Sequence, residues 1–363
     1  MSPDQSAERI AEHFAIISQE FPPLNIDLLP SRVKDKILSN DIKPPQISEY
    51  DTFCKIRSAK KPKSGTLSDL PKVILQEFSP ELASPVRKIL QNIFNSGEWP
   101  NSWKLEHVIP IGKIPMPESE DNLRPISLTP FFSKVTEHFV VKWLLDHISD
   151  KIDFRQYGGL KGNSITHYII EFMNFILISQ DSSEQTAILA CMVDFSKAFN
   201  RQNHNLLITK LSDMGVPGWL LKIVMAFLKD RKMVVRHKGG HSNIKSLPRG
   251  SPQGTILALL LFKVMINDLG FEGQENNAGD LVTCKKSIKL ANEIHLKFVD
   301  DFTLAEAINL PEKLIKIPDS ERPQPDNYHG RTGHVLPLDK SSVYRQLQQT
   351  EKYAENNQMK INF

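Results

Sequence analysis

The chain predicts an α+β fold, and three stretches predict it. Ala187-Ile188-Leu189-Ala190-Cys191-Met192-Val193 is short, apolar and partly β-branched, the pattern of a strand buried on both faces. Around Asp300-Asp301, Ile294, Leu296 and Phe298 alternate with His295, Lys297 and Val299, and Phe302-Thr303-Leu304 reads as the returning strand. Elsewhere apolar residues recur at helical spacing, as in Val135, Phe139 and Trp143, preceded by Phe132.

Taken in order, residues 1–65 read as an N-terminal extension, helical from Ala7 to Ser18, then irregular and basic through Lys55, Arg57, Lys60, Lys61 and Lys63. Residues 66–185 form a second region and residues 186–363 a third. In the second region, Ser164 is a predicted N-cap for a helix with Ile165, Ile169, Phe172 and Ile176 on one face. In the third, helices are expected over about 206–213 and 219–228, separated by Gly215-Val216-Pro217-Gly218. Met233 to His237 runs into Gly239-Gly240 as a hairpin, and Ile256 to Ile266 reads as an apolar helix. Residues 309–340, rich in proline and polar side chains, read as an irregular insertion, and 341–360 resume a helix.

Net charge is only +3 over 363 residues, so any nucleic-acid or membrane preference must lie in local charge placement. Cys54, Cys191 and Cys284 lie far apart, which excludes a disulfide framework or a spaced zinc site and predicts no disulfide partner. The longest apolar stretch, Ile165 to Ser179, is broken by His167, Glu171 and Asn174 and is too short to span a bilayer. The polar, acidic start carries no signal-peptide pattern, so an intracellular chain without a membrane partner is expected.

Candidate chemistry gathers at four places. Asp194 ends one apolar run and Asp300-Asp301 interrupts another. Two carboxylates about 4 Å apart repel by roughly 4 kcal/mol at an effective dielectric near 20, so acids brought together imply a cation or a raised pKa. Mg²⁺ or Mn²⁺ suits a few carboxylates completed by substrate phosphate, and two such ions serve nucleotidyl transfer. Phe199, five residues beyond Asp194, is placed to meet a sugar and exclude a 2′-OH; alone it reads equally well as core. Lys113 and Arg124 flank an acidic, proline-containing loop and would meet a triphosphate. Gly250, Gln253 and Gly254 permit close backbone approach and two-way hydrogen bonding to a base or sugar, although the same turn also suits a plain helix start. Residues 55–63, together with Lys229, Arg231, Lys232, Arg236 and Lys238, are candidate phosphate contacts.

The ordered set Leu123-Arg124-Pro125-Ile126-Ser127-Leu128, Gln156-Tyr157-Gly158, Asp194-Phe195-Ser196-Lys197-Ala198-Phe199, Pro252-Gln253-Gly254-Thr255 and Phe298-Val299-Asp300-Asp301 resembles reverse transcriptases of non-LTR retrotransposons. That resemblance implies a right-hand polymerase with fingers at 66–185 and a palm at 186–363, the palm including fingers-associated helices near 204–230. It implies Asp194 and Asp300 as metal ligands for two Mg²⁺ or Mn²⁺ ions, with Asp301 beside them in catalysis. It further implies Lys113, Arg124, Phe199 and Gln253 at the nucleotide, and Gly250, Gln253 and Gly254 at template and primer. The partners implied are an RNA template, a DNA primer and dNTPs, in the nucleus or a cytoplasmic ribonucleoprotein. Asn200 and Ala258-Leu259 depart from the family's common aspartate and serine-proline, and Val299 from its common alanine. The sequence ends at Phe363, just before the family's usual lysine and thumb, so the thumb is expected to be absent. Two other readings stay open: an inactive remnant that at most binds nucleic acid, and an RNA-directed RNA polymerase, which Phe199 opposes.

Overall fold

The computed structural model describes residues 2–19, 22–39, 42–58, 70–159, 162–181, 186–248, 250–269, 293–309 and 342–362. Its helices are α1 (Pro3–Gln19), α2 (Ser31–Leu38), α3 (Glu49–Ser58), α4 (Lys72–Glu77), α5 (Ser79–Ser96), α6 (Phe131–Ile148), α7 (Ile165–Asp181), α8 (His204–Asp213), α9 (Gly218–Leu228), α10 (Ile256–Met265) and α11 (Ser342–Asn356). The strands are β1 (Leu105–Gly112), β2 (Leu123–Leu128), β3 (Thr186–Phe195), β4 (Arg231–His237), β5 (Gly240–His241), β6 (Lys245–Leu247), β7 (Glu293–Phe298), β8 (Asp301–Asn309) and β9 (Ile361–Asn362). Lys60, Lys61, Lys63, Arg249, Cys284 and nearly all of the expected insertion lie outside the described residues.

Two compact units divide the chain: Met1–Ile152 with Lys197–Ile266, and Asp153–Ser196 with Asn267–Phe363. The first holds a sheet ordered β2-β1-β4-β5, with β6 also paired to β4. Helix α1 covers part of it, burying Ile10, Ala11, Phe14 and Ala15 against Val108, Met233 and Val235. This helix begins earlier than its apolar periodicity predicts, because Ser2 and Gln5 form a reciprocal capping box. The Gln5 N–H donates to Ser2 Oγ at 3.2 Å and the Ser2 N–H to Gln5 Oε1 at 2.9 Å. Pro3 then occupies a first-turn position where a missing N–H costs nothing. Helices α5, α6 and α9 contribute aromatic edges to a separate core region, Trp143 meeting Phe94 at 4.6 Å and Trp219 at 5.4 Å between ring centroids.

Arg231 corrects the charge reading. Although it falls in a basic run that suggests phosphate contact, it is 2% exposed and donates from Nε to Glu106 Oε1 at 2.7 Å, with Glu106 equally buried. Its Nη1 donates to the Phe227 carbonyl at 3.1 Å, and its guanidinium stacks over the Phe227 ring. The pair joins β1 to its parallel partner β4, in which Glu106 lies opposite Met233.

The second unit holds a sheet ordered β7-β8-β3-β9. Tyr168 of α7 packs its ring against Phe298 and hydrogen-bonds Thr303, while Thr350 and Tyr353 of α11 lie beside Phe302 and Leu304 on the other face. Ser164 caps α7 as expected, accepting from the His167 N–H at 3.4 Å. The expected apolar face is only half right: Ile165 and Ile169 are 54% and 51% exposed. Nor is β3 covered on both faces. Ala190, Met192 and Asp194 alternate outward, Met192 to 76% exposure, because only Val193 and Phe195 at this end point into the core. That open face makes Asp194 reachable from solvent.

Among the described residues no helix is long and apolar enough to cross a membrane, and Cys54 and Cys191 are free thiols.

Removing one partner of a buried pair strands the other charge, whereas an exposed pair is worth little. Glu106→Ala should therefore cost about 3–5 kcal/mol in denaturant unfolding. Loss of the exposed Arg32–Asp213 contact by Arg32→Ala should cost less than about 1 kcal/mol. Equal losses would contradict the assignment of Arg231 to the core.

Candidate active site

The carboxylates come together through strand register. Asp194 is the Cα partner of Asp301 in the antiparallel β3–β8 pair, so both side chains lie on one face, with Cα atoms about 4.5–5.5 Å apart. Asp301 also closes against Phe298 of β7, leaving Val299 and Asp300 as a two-residue turn at the sheet's end. The structure thus gathers all three acids of the sequence reading at one edge. The register partner of Asp194 is Asp301, with Asp300 one residue away in the turn. The Asp301 carboxyl is held above its ordinary value, first by partial desolvation and then by the Asp194 charge.

Val299 has φ +59°, a left-handed conformation that β-branched residues rarely take, and its surroundings hold it there. Gln156 is buried, and its Oε1 accepts from the Val299 N–H at 2.9 Å and the Gly158 N–H at 3.2 Å. Gly158 lies so close that a Cβ there would sit 2.5 Å from Val299 Cγ2 and 2.6 Å from its backbone nitrogen. The same segment pairs with β7: the Tyr157 N–H donates to the Lys297 carbonyl at 2.8 Å, and the Lys297 N–H to the Arg155 carbonyl at 3.0 Å. Beneath it the fully buried Lys297 ammonium lies 2.9 Å from Asp153 and donates to the Asn267 carbonyl at 3.0 Å. Gln156-Tyr157-Gly158 entered the sequence reading only as a family mark; here it clamps the acidic turn.

One further residue reaches the acids without having been foreseen. Asn362 in β9 pairs with Asp194 from the side of β3 opposite β8, and its Nδ2 donates to Asp194 Oδ2 at 2.6 Å.

The other candidates belong to the first unit. Ile111 pairs with Arg124, and the Lys113 N–H donates to the Asn122 carbonyl at 2.7 Å. Lys113 and Arg124 therefore extend from one face of the β1–β2 hairpin as diagonal neighbours, both exposed. Inside that hairpin loop Asp121 accepts from Lys197 Nζ at 2.7 Å, and His13 of α1 stands 3.4 Å away. Lys197 holds the Asp121 carboxyl below its usual range.

Phe199 stacks on Phe262 of α10 at 5.0 Å between centroids. The loop around Gly250 fastens its backbone: the Ser251 N–H donates to the Phe199 carbonyl at 2.9 Å, and a Cβ at Gly250 would meet Asn200 Cα at 2.8 Å. Gly250 has φ +79° besides, so glycine is required twice over. Further on, the Gln253 carbonyl accepts from the Ser127 N–H at 2.8 Å, which ties the loop to β2. Thr255 caps α10 through the Ala258 N–H, and the buried Glu137 carboxylate accepts from the Leu257 N–H at 3.3 Å. Burial pushes the Glu137 pKa up to about 7. The side chain of Gln253 is half-buried and Gly254 exposed.

As a cation site the acidic edge offers oxygen donors of the hard type. Among the described residues no group of three or more His, Cys, Asp or Glu is arranged to hold a metal ion unaided. Few protein ligands completed by water and substrate phosphate is the pattern that Mg²⁺ accepts, and the mutual repulsion of the acids favours a cation between them.

Residues 114–319 match the reverse transcriptase (RNA-dependent DNA polymerase) family, more than half of the sequence. The chain belongs to that family, whose palm and fingers fold agrees with the mixed sheets and helices described above. Its relatives are of the non-LTR retrotransposon kind. It is 28% identical to the probable RNA-directed DNA polymerase from transposon BS of Drosophila melanogaster, over 71% of this chain and 28% of the relative. It is 28% identical to the RNA-directed DNA polymerase from mobile element jockey of the same species, over 50% of this chain and 20% of the relative. The probable RNA-directed DNA polymerase from transposon X-element, also of D. melanogaster, is 28% identical over 47% of this chain and 19% of the relative. The matched stretch spans 19% to 28% of the length of these relatives.

A carboxyl whose folded pKa is raised stabilises the fold fully at low pH and loses that contribution as pH rises through its folded value. Asp301→Asn should therefore melt above the wild type near neutral pH in metal-free buffer. The gap should close as pH falls below the ordinary carboxylate range, about 4. A gap that does not vary with pH would exclude ionised Asp301 as the source of strain.

Proposed function

We propose that this chain is the core of an RNA-directed DNA polymerase that adds dNTPs to a primer 3′-OH on an RNA template. The reading is carried by the register of β3 against β8, which sets Asp194 opposite Asp301 beside the Asp300 turn on an open sheet face. In this reading Asp194 and Asp300 hold divalent ions and Asp301 supports them. Two bound Mg²⁺ or Mn²⁺ ions would supply activation of the primer hydroxyl and neutralisation of the leaving pyrophosphate. Lys113 and Arg124 bind the triphosphate, arginine through its bidentate fork. Phe199, fixed by stacking and by its backbone partner Ser251, blocks a ribose 2′-OH. Gly250, Gln253 and Gly254 meet template and primer, and the half-buried Gln253 side chain also contacts the nascent pair.

Primer extension on an RNA template with Mg²⁺ tests the assignment. Asp194→Ala and Asp300→Ala should each abolish most extension, and the double variant should be no worse than the singles, since the acids act as a unit. Wild-type-like extension by either single variant would remove that residue from the metal site, and an inactive wild type that still binds nucleic acid would favour the remnant reading.

Phe199→Val should raise ribonucleotide incorporation relative to deoxynucleotide by about tenfold or more. Unchanged discrimination would place the gate elsewhere, and a wild type that prefers ribonucleotides would support the RNA polymerase alternative.

A further inference from the structure

We propose that Asn362 is a positioning residue that orients the Asp194 carboxylate for cation binding. The inference rests on the polymerase reading and names a residue which that reading does not use. Strand β9 lies on the side of β3 away from β8, in the register Asp194 to Asn362 and Phe195 to Ile361. The Ser196 N–H donates to the Lys360 carbonyl at 2.6 Å, and the buried Ile361 anchors the strand from below. Asp194 therefore stands between an acid and an amide: Asp301 across one strand interface, Asn362 across the other.

The chemistry of the amide matters. Asn362 Nδ2 donates to Asp194 Oδ2 at 2.6 Å, a short amide-to-carboxyl hydrogen bond. A lysine or arginine in that place would compete with a bound cation for the carboxylate's charge. An amide fixes one oxygen and the rotamer while leaving the full negative charge and the other oxygen to a metal ion. A carboxylate already aimed loses less entropy on binding than one that rotates freely. The bond is made by an exposed side chain on a two-residue edge strand, so its removal should leave the fold nearly unchanged.

Mn²⁺ titration of the full chain, followed by electron paramagnetic resonance, tests this with wild type, Asn362→Leu, Asn362→Gln and Asp194→Asn. Asn362→Leu keeps the size and removes the donor. It should bind Mn²⁺ about tenfold more weakly, in the range found when groups supporting a metal ligand are lost. It should also raise the Mg²⁺ concentration needed for half-maximal primer extension, with no matching fall in melting temperature. Asn362→Gln retains an amide and should recover part of the affinity. If Asp194→Asn abolishes Mn²⁺ binding while Asn362→Leu binds as wild type does, the positioning role is overturned and the polymerase reading stands. A melting-temperature loss in Asn362→Leu without loss of affinity would also overturn it, by showing a purely structural contact. Unaltered Mn²⁺ binding in Asp194→Asn would overturn the metal site and this inference together.

Discussion

The register that sets Asp194 directly opposite Asp301 is the constraint on which the acidic edge of the second unit depends. Two carboxylates on directly opposed strand positions push the strands apart unless backbone pairing and packing hold them. Here β3 and β8 stay paired over nine successive positions, from Thr186–Asn309 to Asp194–Asp301. The turn that follows is held in an unfavourable conformation by a buried glutamine, a glycine without room for a methyl group and a segment paired to β7. The buried Lys297–Asp153 pair lies under the same strand. Such a pair adds little net stability, and the Lys297 ammonium is further satisfied by the Asn267 carbonyl. Charge repulsion and backbone strain are local costs, met by cooperative pairing around them.

The first unit solves a different problem, the fixing of an aromatic ring and a loop. Its devices are backbone contacts: Ser251 to Phe199, Ser127 to Gln253, and Gly250 pressed onto Asn200. Such contacts leave side chains free for chemistry while their Cα positions are pinned. Phe199 is therefore held twice, by its ring on Phe262 and by its carbonyl on the Ser251 N–H. Lys197 adds an electrostatic tie by engaging the acidic loop between Lys113 and Arg124.

Much of this was legible in the sequence because it is local. Alternation marked β7 and β8, the apolar run marked β3, Ser164 marked the start of α7, and the three acids stood at the ends of those elements. What escaped depends on distance along the chain. Nothing near Gln156 says that its side chain will accept from Val299, 143 residues away, and Asn362 meets Asp194 across 168. Charge also misled. Arg231 belongs to a basic run, but strand alternation turns it inward, where Glu106, unremarkable in sequence, receives it. The apolar side of α7 was misjudged because periodicity finds a stripe without finding its cover: Ile165 and Ile169 face outward while Tyr168 makes the contact with Thr303.

Helix α1 has a bearing on where this protein can be cut. It lies outside the 114–319 match, yet its apolar side seals Met233 and Val235 within that match, along with Val108. A fragment trimmed to the family boundaries would lose β1 as well as α1, parting β2 from β4 and uncovering Met233 and Val235, with Lys245 stripped of its partner Glu8. The segment that matches the family and the segment that completes its sheet and core are thus different stretches of polypeptide, and expression boundaries should follow the second.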